Sequence, residues 1–296
     1  MKTAQNGIFA LGNPSHAYLE FDLVDGKKGR DLVAAVKAFH EPRTTGSGVN
    51  LVVGFRPELW KEVAPEDAPA GVQGFNQDLL GIEGFTMPAT QHDLVLWFTA
   101  AAYDEIFDLT RDAIAALKGV AHIADETSGW PYRSSHDLTG FIDGTENPKL
   151  TEAPEVALIP EGQPGAGGSV LLLQKWPHDA AKWEALPVEK QELVIGRKKA
   201  DSVELEHKPV DAHAAKTDQD KFGKILRRNM PYGTATNHGT MFVGFCAKQE
   251  VLSEMLDSMA GVIGGQRDAL TNYSRPVTGA YYFIPAIESL APPDED

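Results

Sequence analysis

The chain has 296 residues, room for two domains of ordinary size or one large one, and its 42% hydrophobic, 8% aromatic and 23% charged residues exclude wholesale disorder, collagen and coiled coil. Against 42 Asp and Glu stand 27 Lys and Arg, a formal net charge of −15. That charge repels phosphate backbones and anionic bilayers, so neither nucleic acid nor a membrane surface is expected as a partner.

The N-terminus carries one Lys and an apolar stretch too short for the core of a signal peptide. No later segment approaches the ~18 unbroken apolar residues of a membrane span, and the expected location is cytoplasmic. Residues 18–24 alternate Leu19, Phe21 and Leu23 with Glu20 and Asp22, the pattern of a strand with one buried face. Leu32, Val33, Val36 and Phe39 then fall at helical spacing, which predicts an amphipathic helix over 30–40. Apolar residues 50–55 predict a second strand. A short helix with Pro at its first position fits 57–63, followed by a loop-rich insertion over 71–91. A strand at 93–99, a helix at 102–118 marked by Ile106, Leu109, Ala113 and Leu117, and a strand at 120–125 complete the order β-α-β-β-α-β.

That order is the ferredoxin-like arrangement, two helices on one face of an antiparallel sheet. The second half repeats it loosely: a strand at 169–175, helix at 179–196 in two pieces broken at Pro187, strands at 224–228 and 240–247, a helix striped by Val251, Leu252, Met255, Leu256 and Met259, and a closing strand at 280–285. The expected fold is therefore α+β, two ferredoxin-like halves (1–140 and 141–296) with antiparallel sheets and helices packed outside. The acidic tail at 292–296 reads as a frayed end. The single cysteine, Cys246, excludes an internal disulfide and a thiolate zinc set; in an apolar strand it reads as a buried, inert thiol.

The densest polar cluster is 137–148, where Asp143 sits between Phe141–Ile142 and Gly144. Read physically, it is either a plain turn or a turn built to hold a carboxylate. Downstream, Asp211, His213, Arg227, Arg228 and Asn229 gather in a short span. Together with that span, residues 141–148 (Phe-Ile-Asp-Gly-Thr-Glu-Asn-Pro) resemble the GxxDG motif of the dye-decolorizing peroxidases, haem enzymes of two ferredoxin-like halves. Further matches run through nearly the whole chain: His178-Asp179 with Trp183, 195–197 (Ile-Gly-Arg), 201–205 (Asp-Ser-Val-Glu-Leu), 225–233 (Ile-Leu-Arg-Arg-Asn-Met-Pro-Tyr-Gly) and 275–283. They are similar to the family's bacterial B-type branch.

The resemblance implies one noncovalent haem b per chain, held in the C-terminal half, with His213 as the iron ligand and His207 as its competitor. Asp268 is implied as the carboxylate that orients the ligand, its alternative being a solvated acid on a helix end. Asp143, Arg227 and Asn229 are implied as catalytic residues on the opposite haem face, Arg227 also touching the cofactor. Gly144, Thr145 and Glu146 come with the motif as cofactor contacts. Arg197 either meets a haem propionate or makes a salt bridge. Arg228, on the same strand as Arg227, should point the other way, as a sheet-face or surface charge. The implied reaction uses H2O2 to oxidise dyes, phenols or other small one-electron donors through a ferryl intermediate, in a homo-oligomer. Trp60, Trp130, Trp176, Tyr132 and Tyr273 are either electron relays or packing aromatics. A haem- or porphyrin-handling protein with incidental peroxidase activity is the competing reading.

Overall fold

The computed structural model of the chain describes residues 2–38 and 48–290; the end of the first expected helix and the tail at 292–296 lie outside the described residues. In the first half the elements follow the expected order: β1 (Ser15–Leu23), α1 (Gly29–Lys37), β2 (Asn50–Phe55), α2 (Pro57–Val63), β3 (Leu94–Ala100), α3 (Tyr103–Ala116) and β4 (Ala121–Gly129). The Lys28 N–H donates to Asp31 Oδ2 at 2.9 Å and starts α1, and Pro57 occupies the first turn of α2. The second half contributes α4 (Ala153–Ala157), β5 (Ser169–Pro177), α5 (Ala180–Glu184), α6 (Val188–Ile195), α7 (His213–Lys216), α8 (Gln219–Phe222), β6 (Leu226–Arg227), β7 (Met230–Gly233), β8 (His238–Cys246), α9 (Gln249–Met259) and β9 (Ala280–Ile284). Pro187 separates α5 from α6 as expected.

Within the first half the strands lie in the order β2-β3-β1-β4, all antiparallel. In the second half β9, β5 and β8 are neighbours, and β6 and β7 follow one another along the far side of β8, with Arg227 opposite Gly244 and Met230 opposite Met241. The two expected antiparallel sheets are a single sheet: Phe55 opposite Phe283 joins β2 to β9, Gly129 opposite Tyr232 joins β4 to β7, and β5 pairs β8, so among the described residues eight strands close into a barrel, with the two-residue β6 added on β8 alone. Two open half-sheets would each leave edge strands unpaired and one apolar face bare; closing them on each other removes both defects.

The helices do pack outside. Leu19 and Phe21 of β1 share a core with Leu32 and Val36 of α1 and Ile106 and Ala113 of α3. The alternation in β1 predicts a solvated second face, yet Tyr18 is 1% and Glu20 4% exposed. That face looks into the barrel, where Tyr18, Trp97, Leu171, Val243 and Tyr282 form a core common to both halves. The insertion crosses to the other half: Phe75, Phe85 and Met87 pack with Leu252, Met255 and Met259 of α9, and Gln73 and Gln249 exchange two hydrogen bonds. Among the described residues no helix is long and apolar enough to cross a membrane.

Candidate active site

A cavity of about 250 Å³ lies between the outer face of the second-half sheet and α9. Strand alternation sorts its wall: Leu171 and Leu173 face the barrel interior, whereas Leu172, Gln174 and Trp176 of β5, with Thr240 and Phe242 of β8, face the cavity. Leu252, Met255, Leu256 and Met259, at helical spacing, close it from α9. Polar groups come from the segment 137–146, from α7 and from β6.

His213 opens α7 and reaches this cavity. Its Nδ1 lies 2.7 Å from Asp268 Oδ2, and Asp268 is 0% exposed. The Leu270 N–H donates to the other carboxylate oxygen at 2.9 Å, so Asp268 both caps the short turn Ala269–Asn272 and holds the imidazole. A carboxylate there makes Nδ1 the protonated nitrogen and leaves Nε2 as a ligating lone pair. His207 is exposed and does not line the cavity.

Asp143 is set by its backbone. Its N–H donates to Ser135 O at 2.7 Å, and its own Oδ1 accepts from the Gly144 N–H at 2.7 Å. Just upstream, Arg133, Ser134 and Ser135 stand at φ 42°, 52° and 92°, three consecutive left-handed residues that cost about 1–2 kcal/mol each. Their side chains carry no sequence signal for this turn. Arg227 Nη1 lies 4.0 Å from Asp143 Oδ1, and Asn229 Oδ1 accepts from the Val243 N–H at 3.0 Å. Thr145 and Glu146 sit on the exposed rim. Arg197 lines the same rim, but it is a salt-bridge residue: its guanidinium is shared by Glu146 and Glu204 and donates to Ser202 O. Arg228 does point the other way, but as a buried residue and not a surface charge: the barrel closes over that face, and there it donates to the carbonyls of Gly7, Ile8 and Ala10 and lies over the Trp97 ring at 5.2 Å.

Sequence reasoning assigned no role to several residues of the cavity. Asp137 is half-buried against it, and burial, reinforced by Asp143, pushes its carboxyl up to about 6 although Thr139 hydrogen-bonds it. His178 is held neutral by burial, down to about 4. Gln174 is 0% exposed on β5, a polar residue in an apolar strand, which was its available signal. Of the aromatic candidates, Trp176 lines the cavity, Trp130 is exposed, and Trp60 is buried with Phe55 and Phe283 in the other half's core. Tyr132 lies under Arg133, and Tyr273 packs edge-on against Trp183.

Two buried donors in this wall, Gln174 Nε2 and Arg227 Nε, have no partner within the protein. Buried donors are costly unless satisfied, so the cavity is shaped for a ligand that is apolar over most of its area with acceptors at particular points. A haem fits that description, and His213, which lines the cavity, carries a nitrogen of the kind that ligates iron.

The models of the Dyp-type peroxidase N-terminal and C-terminal domains match residues 5–131 and 134–289. The chain belongs to the Dyp-type peroxidase family. It is 35% identical, over 85% of its length and 76% of the relative's, to the dye-decolorizing peroxidase of Rhodococcus erythropolis. The dye-decolorizing protein from V. cholerae superposes with a TM-score of 0.87 at 32% identity, covering 97% of this chain and 98% of that one. A DypB variant from Rhodococcus jostii RHA1, solved in complex with heme, gives 0.86 at 31% identity over 98% of each chain. This peroxidase is thus a haem-dependent oxidoreductase.

Proposed function

We propose that His213 ligates the iron of one noncovalent haem b, that Asp268 orients it, and that Asp143, Arg227 and Asn229 act on H2O2 in the same cavity. The carrying observation is the convergence on one cavity of a carboxylate-held imidazole at 2.7 Å and an Arg–Asp pair at 4.0 Å. When bound, haem supplies the electrons that break the O–O bond and takes back single electrons from donors. The chain's own residues handle charge and protons. Asp143 accepts the proton from one peroxide oxygen and returns it to the other, which leaves as water. Arg227 stabilises the negative charge that develops on the departing oxygen, in a site where little water competes. Asn229, with its Oδ1 committed to Val243, retains its Nδ2 to position peroxide or water.

Small one-electron donors such as dyes and phenols are the reducing substrates in this reading. Trp176 is the aromatic best placed to pass electrons from bulkier donors, because it lines the cavity. Arg197 would meet a propionate only by giving up one of its two carboxylates. The strand order of each half supports reading 1–140 and 141–296 as two ferredoxin-like halves. Cytoplasmic residence and a homo-oligomer complete the proposal, to be checked by fractionation and light scattering. A haem-handling role is not favoured, since the relatives matched over most of the chain are dye-decolorizing peroxidases.

Reconstitution with hemin tests the assignment. A Soret band at one haem per chain should form, acid–acetone should extract it, and it should be largely lost in His213→Ala yet kept in His207→Ala. The reverse pattern in the two variants would reassign the ligand.

A further inference from the structure

We infer that Asn147 is a positioning residue of the peroxide site: its side-chain amide replaces a missing strand neighbour and locks the backbone of Arg227 onto the segment that carries Asp143. The inference rests on the site reading above and extends it to a residue outside the cavity lining.

β6 is two residues long and pairs with β8 on one side. In an antiparallel ladder successive residues direct their N–H and C=O alternately to either side. The Arg228 N–H donates to Val243 O at 2.8 Å, toward β8; the N–H and C=O of Arg227 therefore face the open edge. Asn147 covers both. Its Oδ1 accepts from the Arg227 N–H at 2.8 Å, and its Nδ2 donates to Arg227 O at 2.8 Å. A carboxamide offers one acceptor and one donor in one plane, as a backbone peptide does, so it completes the ladder where no strand is available.

Gly144 makes the approach possible. It stands at φ +73°, and a Cβ built on it would lie 2.9 Å from Asn147 Nδ2, closer than real Cβ contacts come. The Asn147 N–H donates to Gly144 O at 3.0 Å, so the turn 144–147 carries the clamp at one end and Asp143 immediately before the other. Asp143 and Arg227 are thereby related through the two hydrogen bonds by which Asn147 holds the Arg227 backbone, 80 positions further along the sequence. Their 4.0 Å separation does not depend on the ion pair forming by itself.

The test compares Asn147→Asp and Asn147→Ala holoenzymes with the parent. In Asn147→Asp the isosteric carboxylate turns an acceptor toward Arg227 O. Reaction with H2O2, followed by stopped flow at the Soret band, should slow at least tenfold at neutral pH in both variants, while the Soret intensity is retained. As pH falls through the titration of the new carboxyl, its O–H becomes a donor and the Asn147→Asp rate should return toward the parent's; Asn147→Ala should show no such recovery. Independently of turnover, hydrogen exchange of the peptide spanning Arg227 should speed up in Asn147→Ala. Parent-like peroxide rates at every pH, unchanged exchange, or loss of the Soret band in both variants would overturn the proposal, because the clamp is given no part in holding haem. Failure of the functional reading looks different: the parent itself would not react with peroxide.

Discussion

Asp268 is the most constrained acid of the site, with one oxygen accepting from the Leu270 N–H and the other facing His213 Nδ1. Replacing it by Asn keeps the shape and removes the charge, so the imidazole becomes a weaker donor to iron. Asp268→Asn should retain haem and raise the Fe(III)/Fe(II) potential in a spectroelectrochemical titration; an unchanged potential would show that Asp268 caps the turn and does nothing to the ligand. Arg227 and Asp143 should contribute unequally. Arg227 is the cation facing Asp143, whereas Asp143 has a second carboxyl beside it, Asp137, which lines the same cavity and whose own titration the Asp143 charge helps to raise. Arg227→Leu should therefore slow the reaction with H2O2 by about 10²–10³-fold, the usual loss of a preorganised donor. Asp143→Asn should mainly displace the pH dependence of that step, with Asp137 taking over the proton and titrating below its parent value of about 6, because the Asp143 charge that helps to raise it is gone. Stopped-flow rates against pH decide between them, and near-parent rates in Arg227→Leu would remove the Arg from the mechanism. At this scale the sequence was informative where a motif named the residue, as for His213, Asp143 and Arg227. It was silent on Asn147's partner, 80 positions away, because an Asn in a turn has the same local propensity whatever it clamps.

The strand that carries Arg227 is discontinuous, and its anchoring falls to side chains. β6 ends at Arg227 and β7 begins at Met230; in between, Asn229 Oδ1 takes the Val243 N–H, and Arg228 reaches into the barrel to hold the carbonyls of Gly7, Ile8 and Ala10. Burial lowers the Arg228 pKa to about 10, so the group stays charged at neutral pH and its hydrogen bonds are charge-assisted. Arg228→Met should leave three carbonyls without their donor and cost about 2–4 kcal/mol, read as a lower urea midpoint with an unchanged slope; a midpoint within error of the parent's would make the clamp dispensable. The long helices were legible because a 3.6-residue stripe repeats over several turns, as in α3 and α9. β7 was not foreseen, since Pro231 and Gly233 break the alternation that marks a strand; β8 supplies its pairing from elsewhere in the chain.

Across the whole molecule, closure of the sheet places titratable groups where no water reaches. Inside the barrel Glu20 accepts from Tyr282 Oη at 2.5 Å, and burial pushes its carboxyl up to about 7 from 4.5. The folded chain then binds a proton that the unfolded chain has lost, so this contribution is full below pH 4.5 and disappears as pH rises to about 7. His16 and His178 act in the opposite sense: held neutral down to about 4, they contribute fully above the unfolded value of 6.5 and lose that contribution as pH falls toward 4. These opposed slopes predict a shallow pH dependence for the parent. Glu20→Gln keeps an acceptor for Tyr282 and removes one slope, so the stability difference between parent and variant should shrink by about 3 kcal/mol between pH 4.5 and 7, as measured by urea unfolding at a series of pH values. A constant difference would mean that Glu20 is ionised in the fold.

The element order of the first half, the longer helices and strands of the second, the net acidity and the single thiol (Cys246, 3% exposed) were legible in the sequence alone, and a motif named several of the residues that line the cavity, because periodicity, composition and motifs are properties of neighbouring positions. The tertiary structure alone decided that two half-sheets become one barrel, that the polar face of β1 is interior, that Arg197 is already paired, and that Asn147 and Asp268 each grip a residue far along the chain. Each of these depends on which edges and faces meet. That choice is made by covering apolar area and satisfying backbone groups over the whole molecule, and no segment read by itself contains it.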